Sequence, residues 1–454
     1  MKSPSKSLAI AAVMLTGAGL LAGCAAGGSS SSDGKTKIVV AMDTGLEKPA
    51  QDAYNAQVAA FEKANPTIDV EPREYTWTGT TFAAELAGGT LPDVFTIPFT
   101  DGRTLIEQNQ IADISGLVSK LPYAEKFNPS VASNGENADG DMLAVPIAAY
   151  GQALHYNRDL FEQAGLDPDS PPTTWGEVRT AAKTIADKTG QAGYATMTQG
   201  NTGGWILTTV AYTLGGRGEE GEGDDVTATV DSPAYAESLE MLQKMRWEDN
   251  SMGGNFLYDW NGINQDFAAG KIGMYISGGA NYTSLVAQNA MDPAHYGETV
   301  LPLEGSDSGA LGGGSLAVVS AKADAAAQKA AVDWIDFFYM SKLINEDDAV
   351  RDASTLAASD QPVGVPQVPV FDKATYDESQ VWIKDYINVP IAQLEPYISQ
   401  SFDQQIIAEP AVNTQGLYGA LDPVVQAVLT DKNADIDTLL DDANSAVQKL
   451  IDAE

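Results

Sequence analysis

The chain has 454 residues, and 62 Asp and Glu against 26 Lys and Arg give it a formal charge of −36. Carboxylates spread along the whole length repel phosphate backbones, which argues against a nucleic-acid partner, and such a surface favours solubility outside the cell. One cysteine and two histidines exclude an intrachain disulfide and speak against a transition-metal site, leaving only carboxylate or tyrosine sites for hard cations open; no cofactor or metal is expected.

At the start, Lys2 and Lys6 precede an uncharged run from Leu8 to Leu21, and the small residues Ala22 and Gly23 lead into Cys24. Charged, apolar and small-residue zones in that order make a secretory signal. The apolar run is also shorter than the ~20 residues a spanning helix needs. Leu21-Ala-Gly-Cys24 resembles the bacterial lipobox, which implies removal of residues 1–23 and lipid modification of Cys24. The AAGGSSSSDGKT that follows reads as a flexible tether over 24–35. A globular body held by acyl chains at the outer face of the cell membrane is the expectation.

From Lys37 to Met42, KIVVAM predicts a strand, and Tyr54, Val58 and Phe61 fall on one face of a helix within 50–63. Asn65-Pro66 stops that helix, and Ile68-Asp-Val70 restarts a strand. A second helix spans about 81–87 and ends at Gly88-Gly89, before the buried strand candidate LPDVFTI. This βαβαβ rhythm predicts a mostly parallel, helix-covered sheet. Further on, Thr174 and Glu177 form a capping box, and Asp231-Ser-Pro233 opens another helix with Pro in the first turn. Ala331, Trp334, Ile335 and Phe338 mark a packed helix face. Length and pattern together indicate two α/β domains.

Seven stretches occur in a telling order: FEKANPTIDV, LAGGTLPDVF, MLAVPIAAYGQALHYNRDLFEQAGL, PPTTWGEV, FAAGKIGMYISGG, TVLPL and GGGSLAVV. With the lipobox before them, the mature chain resembles bacterial extracellular solute-binding proteins of the sugar-binding group, which are similar to maltose-binding protein. The resemblance implies an α/β periplasmic-binding-protein-like fold of two lobes, joined by a multi-segment hinge around a ligand cleft. It also implies a monomer that hands ligand to the permease of an ABC transporter. One lobe is expected over 36–149 and 304–358, the other over 150–303 and 359–454.

In open α/β sheets ligands bind beyond the carboxyl ends of strands. The loop expected after LPDVFTI presents Asp101 and Arg103, which could hold sugar hydroxyls with charge-assisted bonds or form a solvated turn. Tyr150 matches a ligand-facing position in the first crossing segment, where an aromatic face can cover a pyranose; a core tyrosine at a lobe boundary is the alternative. Trp205 in GNTGGWI, Trp260 in YDWNG, and Asn281 with Tyr282 in SGGANYTS bring further polar and aromatic groups in expected loops, for the site or for packing. Gly313 and Gly314 resemble the family's return crossing, where backbone can approach ligand. His155, within an alternating strand, reads as structural.

The opposing class is a secreted carbohydrate-active hydrolase. It needs two carboxylates ~5 to 9.5 Å apart, and no motif singles out such a pair. No G-x-S-x-G elbow occurs either. A binding protein for a non-sugar solute is the remaining alternative.

Overall fold

The computed structural model describes residues 34–453 apart from 47, 222–224 and 279–280. Cys24, the signal over 1–23 and most of the tether lie outside the described residues. The apolar run Thr36–Met42 forms a strand paired in parallel with Ile68–Glu74 and with Val94–Pro98. Parallel neighbours need crossovers, and helices Lys48–Ala64 and Gly79–Gly88 supply them. Thr78 caps the second helix by accepting from the Thr81 N–H, and Gly89 ends it in the left-handed conformation at φ 70°, where lack of a Cβ removes the steric cost.

The expected parallel pairing holds for these three strands, but the main pairings that follow them in the sheet are antiparallel. Val94–Pro98 pairs antiparallel with Ala310–Val319, which itself pairs antiparallel with Val145–Asn157. The cause is topological: one strand leaves the first half of the molecule, the other returns to it, and the two run side by side in opposite directions.

Val145–Asn157 is 13 residues long and serves two sheets in turn. From Val145 to Gly151 it pairs with Ala317 back to Gly312, and from Gln152 onward it pairs with Met274–Gly278 and Tyr296–Val300. The partner change falls at Gly151–Gln152. On the other edge of the returning strand, Ile406–Ala408 adds in parallel to Ala310–Gly312. Three chain passages therefore meet where the two halves join.

The capping box is present at helix Trp175–Thr189, and helix Pro233–Trp247 begins with Pro at its first position. Trp334 is fully buried against Phe61, edge to face with ring centroids 5.2 Å apart. With Ile38, Val40 and Ala331 it fills one face of the first sheet. The opposite face, with Phe95, Ile97, Phe99 and Leu316, belongs to a second apolar cluster that continues through Leu154 and Ile276 into the other half. No helix among the described residues is long and apolar enough to cross a membrane.

Candidate ligand-binding site

The floor is a strip of glycines. Tyr150 lies opposite Gly313, and Ala149 opposite Gly314. A Cβ on Gly313 would stand 2.8 Å from the Tyr150 hydroxyl and 3.0 Å from two of its ring carbons; one on Gly314 would stand 2.4 Å from the Phe99 ring. Side-chain-free backbone thus lets an aromatic from each half lie against the returning strand. Tyr150, Gly313 and Gly314 come together as the sequence suggests.

Beside Tyr150 stands a carboxylate that sequence reasoning missed. Glu409 follows the short strand Ile406–Ala408; the Tyr150 hydroxyl donates to its Oε2 at 3.4 Å and the Tyr418 hydroxyl to its Oε1 at 3.0 Å. Burial raises its pKa, opposed by the hydroxyls of Tyr418 and Tyr150 and by the nearby indole of Trp205, since burial disfavours the charged form and donors favour it. The Trp205 N–H lies close enough to favour the carboxylate, yet has no partner at full hydrogen-bonding geometry. The only sequence signal was an acid at the carboxyl end of an apolar run, IIAEP.

Trp205 is in the first turn of helix Thr202–Thr213, not in the expected loop. The glycine pair before it is a packing device. A Cβ on Gly204 would come within 2.1 Å of the Tyr418 carbonyl oxygen, and one on Gly203 within 2.8 Å of Asp422 Oδ1. The Asp422 carboxylate accepts from the N–H groups of Asn201 and Gly204 at 2.8 and 2.9 Å, where a negative charge suits a helix start. This contact seats Trp205 next to Tyr418 and Glu409. Glu219 fixes the following segment by accepting from the backbone N–H groups of Ala411 and Val412.

Asp101 belongs to the first half. PFTDGR is not a loop: helix Phe99–Glu107 starts there, with Asp101 in its first turn. A Cβ on Gly102 would meet Leu316 at 2.4 Å and the Asn134 carbonyl oxygen at 2.7 Å, so the Asp-Gly pair marks close helix packing, not a turn. Asp101 accepts from the Thr100 hydroxyl at 3.1 Å. Burial raises its pKa, with Thr100 and the Trp77 indole opposing. Trp77, which the sequence reading passed over, lies half-buried with its ring parallel to Phe95 at 6.2 Å. Arg103 does not sit beside Asp101: residues i and i+2 of a helix point apart, and Arg103 is exposed and pairs with Glu107 at 2.9 Å.

The remaining predicted residues are placed differently. Trp260 is the first residue of helix Trp260–Ala268, half-buried and packed on the core. Asn281 is buried and donates to Asn264 Oδ1 at 2.9 Å and to the Tyr275 hydroxyl at 2.7 Å. Tyr282 is 2% exposed and packs edge-on to Tyr296 at 5.2 Å. These two face the interior more than an open cleft. His155 is structural, as expected: its Nδ1 is 2.7 Å from the Tyr296 hydroxyl, and burial lowers its pKa to about 4. The Tyr296 hydroxyl donates to the fully buried Glu298, whose pKa burial pushes well up.

A separate cavity of about 420 Å³ lies between Ile147–Ala149, the 362–371 segment and helix Lys373–Ile383. It includes none of Asp101, Tyr150, Trp205 or Glu409. A cleft open between lobes is a groove, not a hollow, so cavity size does not locate it. No group of three or more His, Cys, Asp or Glu able to hold a metal ion occurs among the described residues.

Aromatic faces beside carboxylates on both sides of a hinge are what a solute cleft requires, and residues 44–342 match the family described as bacterial extracellular solute-binding protein. This chain belongs to that family. The binding protein is 28% identical over 233 residues to the sn-glycerol-3-phosphate-binding periplasmic protein UgpB of Agrobacterium fabrum (strain C58), covering 48% of this chain and 50% of that one. It shares its fold with the cyclic α-maltosyl-1,6-maltose binding protein of Arthrobacter globiformis, with TM-score 0.68, 24% identity, and 93% and 100% of the two chains covered. The sugar-binding protein MalE of Xanthomonas citri gives TM-score 0.69 at 18% identity, covering 92% and 97%. The two-lobe architecture of the binding protein is thereby established.

Proposed function

We propose that this binding protein captures a carbohydrate, an oligosaccharide in particular, and delivers it to the permease of an ABC importer. The observation that carries the reading is Glu409, held by two tyrosine hydroxyls beside Trp205 at the end of the short strand that pairs with the returning strand. Sugar hydroxyls donate to carboxylates in charge-assisted bonds, and the aromatic faces cover the C–H side of a pyranose. The ligand-binding set comprises Asp101, Tyr150, Trp205 and Glu409 with Trp77, over the Gly313–Gly314 floor. Trp260, Asn281 and Tyr282 support the wall behind it.

The lobes comprise 36–149 with 304–358, and 150–303 with 359–454. Ligand bridges them, and closure is favoured to the extent that ligand binds the closed form better. The protein acts as a monomer, without catalysis, held at the membrane through lipid on Cys24. Cys24→Ala abolishes labelling by a fatty-acid analogue in this account; unchanged labelling refutes the anchor.

A thermal-shift screen of mono- and oligosaccharides, with product analysis of each incubation, tests the reading. A raised melting temperature with unchanged sugar is expected. New products indicate a hydrolase, and a shift only with non-sugar solutes indicates a different ligand class.

A further inference from the structure

Among the described residues, no Lys or Arg forms an ion pair with either acid assigned to the cleft. Glu409 accepts from two tyrosine hydroxyls and lies near one indole N–H, whereas an ionised carboxylate offers about four acceptor sites. Among the described residues, no Lys or Arg is among the groups acting on it, nor among those acting on Asp101. Arg217, which acts on the same Tyr212 ring as Glu409 does, is held elsewhere. It donates to the carbonyl oxygens of Gly216 and Asp307 at 2.6 and 2.8 Å and lies 5.3 Å from the Tyr212 ring centroid. Arg103 is turned to Glu107.

We propose that the cleft selects its carbohydrate by charge, with Glu409 pairing the protonated amine of an aminated sugar ahead of the hydroxyl of a neutral one, and with phosphorylated solutes rejected. The inference rests on the carbohydrate reading. A charge taken half out of water without a partner is unfavourable, and an ammonium group supplies both the missing charge and donors for the open acceptor sites. The rings of Trp205 and Tyr150 add cation–π attraction. A phosphate meets the same carboxylates with like charge, and like-charge juxtaposition is a strong element of discrimination.

Calorimetry at neutral pH on the full mature protein, with three matched pairs, tests this: glucose and glucosamine, cellobiose and fully deacetylated chitobiose, maltose and its 2-amino-2-deoxy analogue. sn-Glycerol 3-phosphate is the anionic probe. In wild type, the amine of at least one pair binds about tenfold or more tighter than its neutral partner. That preference shrinks in high salt, and sn-glycerol 3-phosphate gives no heat. In Glu409→Gln the preference falls to within about twofold while neutral sugar still binds. If that variant fails to fold, the salt dependence in wild type and the Asp101→Asn variant carry the test. Neutral sugars binding as well as their amines, or sn-glycerol 3-phosphate binding at all, overturns charge selection alone. No heat from any sugar overturns the carbohydrate reading beneath it.

Discussion

Gly313→Ala is the substitution that separates the cleft from the fold. A Cβ there stands 2.8 Å from the Tyr150 hydroxyl and 3.0 Å from two ring carbons, against ~3.5 to 4.0 Å for comfortable carbon contacts. The ring must move by roughly half an ångström to one ångström. The obstacle is the far end of a side chain, so the fold loses only about 1–3 kcal/mol. The Tyr150–Glu409 bond, already 3.4 Å long, breaks, and the aromatic leaves its place over the strand. A buried aromatic anchor contributes about 2 kcal/mol to binding, which is roughly thirtyfold in affinity. Calorimetric titration with the sugar giving the largest thermal shift, beside melting by circular dichroism, reads both numbers. Gly314→Ala is the contrast: its Cβ would stand 2.2 Å from the Ala148 carbonyl oxygen, so backbone must shift and stability falls by more. In a Tyr150→Ala background Gly313→Ala has no further effect on affinity. A folded Gly313→Ala protein that binds like wild type refutes the placement of ligand over Tyr150.

Trp205→Ala weakens sugar binding by at least about tenfold, whereas Tyr282→Ala, whose ring is interior, acts chiefly on stability by about 3–5 kcal/mol; titration and melting of the two variants check the division. Burial raises the Glu298 pKa well above that of an unfolded glutamate, so the native state keeps its proton to higher pH and the stability this contributes falls as pH rises from the unfolded pKa through the folded one. Glu298→Gln therefore gains melting temperature relative to wild type as pH rises, and a constant difference contradicts this. His155 has the opposite sign: its pKa is lowered to about 4 from ~6.5, so the unfolded chain binds a proton first. About 3 kcal/mol of stability is lost as pH falls between those values, and His155→Gln removes that loss without changing sugar affinity.

What was legible in the sequence was local. Caps and breakers such as Gly89, Thr174 and Pro233 act within a few residues, and the Ala331–Trp334–Ile335 stripe needs only helical spacing. The crossing strand was readable because its residues stay together in the chain. Glu409 was not, because its partner Tyr150 lies 259 residues away and one acid among 62 carries no periodicity. Gly102, Gly203 and Gly204 misled in a consistent way. Each resembles a loop signal, yet each is a helical residue whose missing Cβ admits a neighbouring strand or helix, a reason that exists only once the chain is folded. The antiparallel half of the sheet was hidden for the same cause, since it depends on two passages more than 150 residues apart running side by side.

Small-angle scattering of the mature protein, with and without saturating sugar, tests the central claim most directly. Two lobes closing on a ligand between Trp77–Asp101 and Tyr150–Trp205–Glu409 give a smaller radius of gyration with an unchanged far-ultraviolet circular dichroism spectrum. An identical radius at a saturation confirmed by calorimetry contradicts capture by closure.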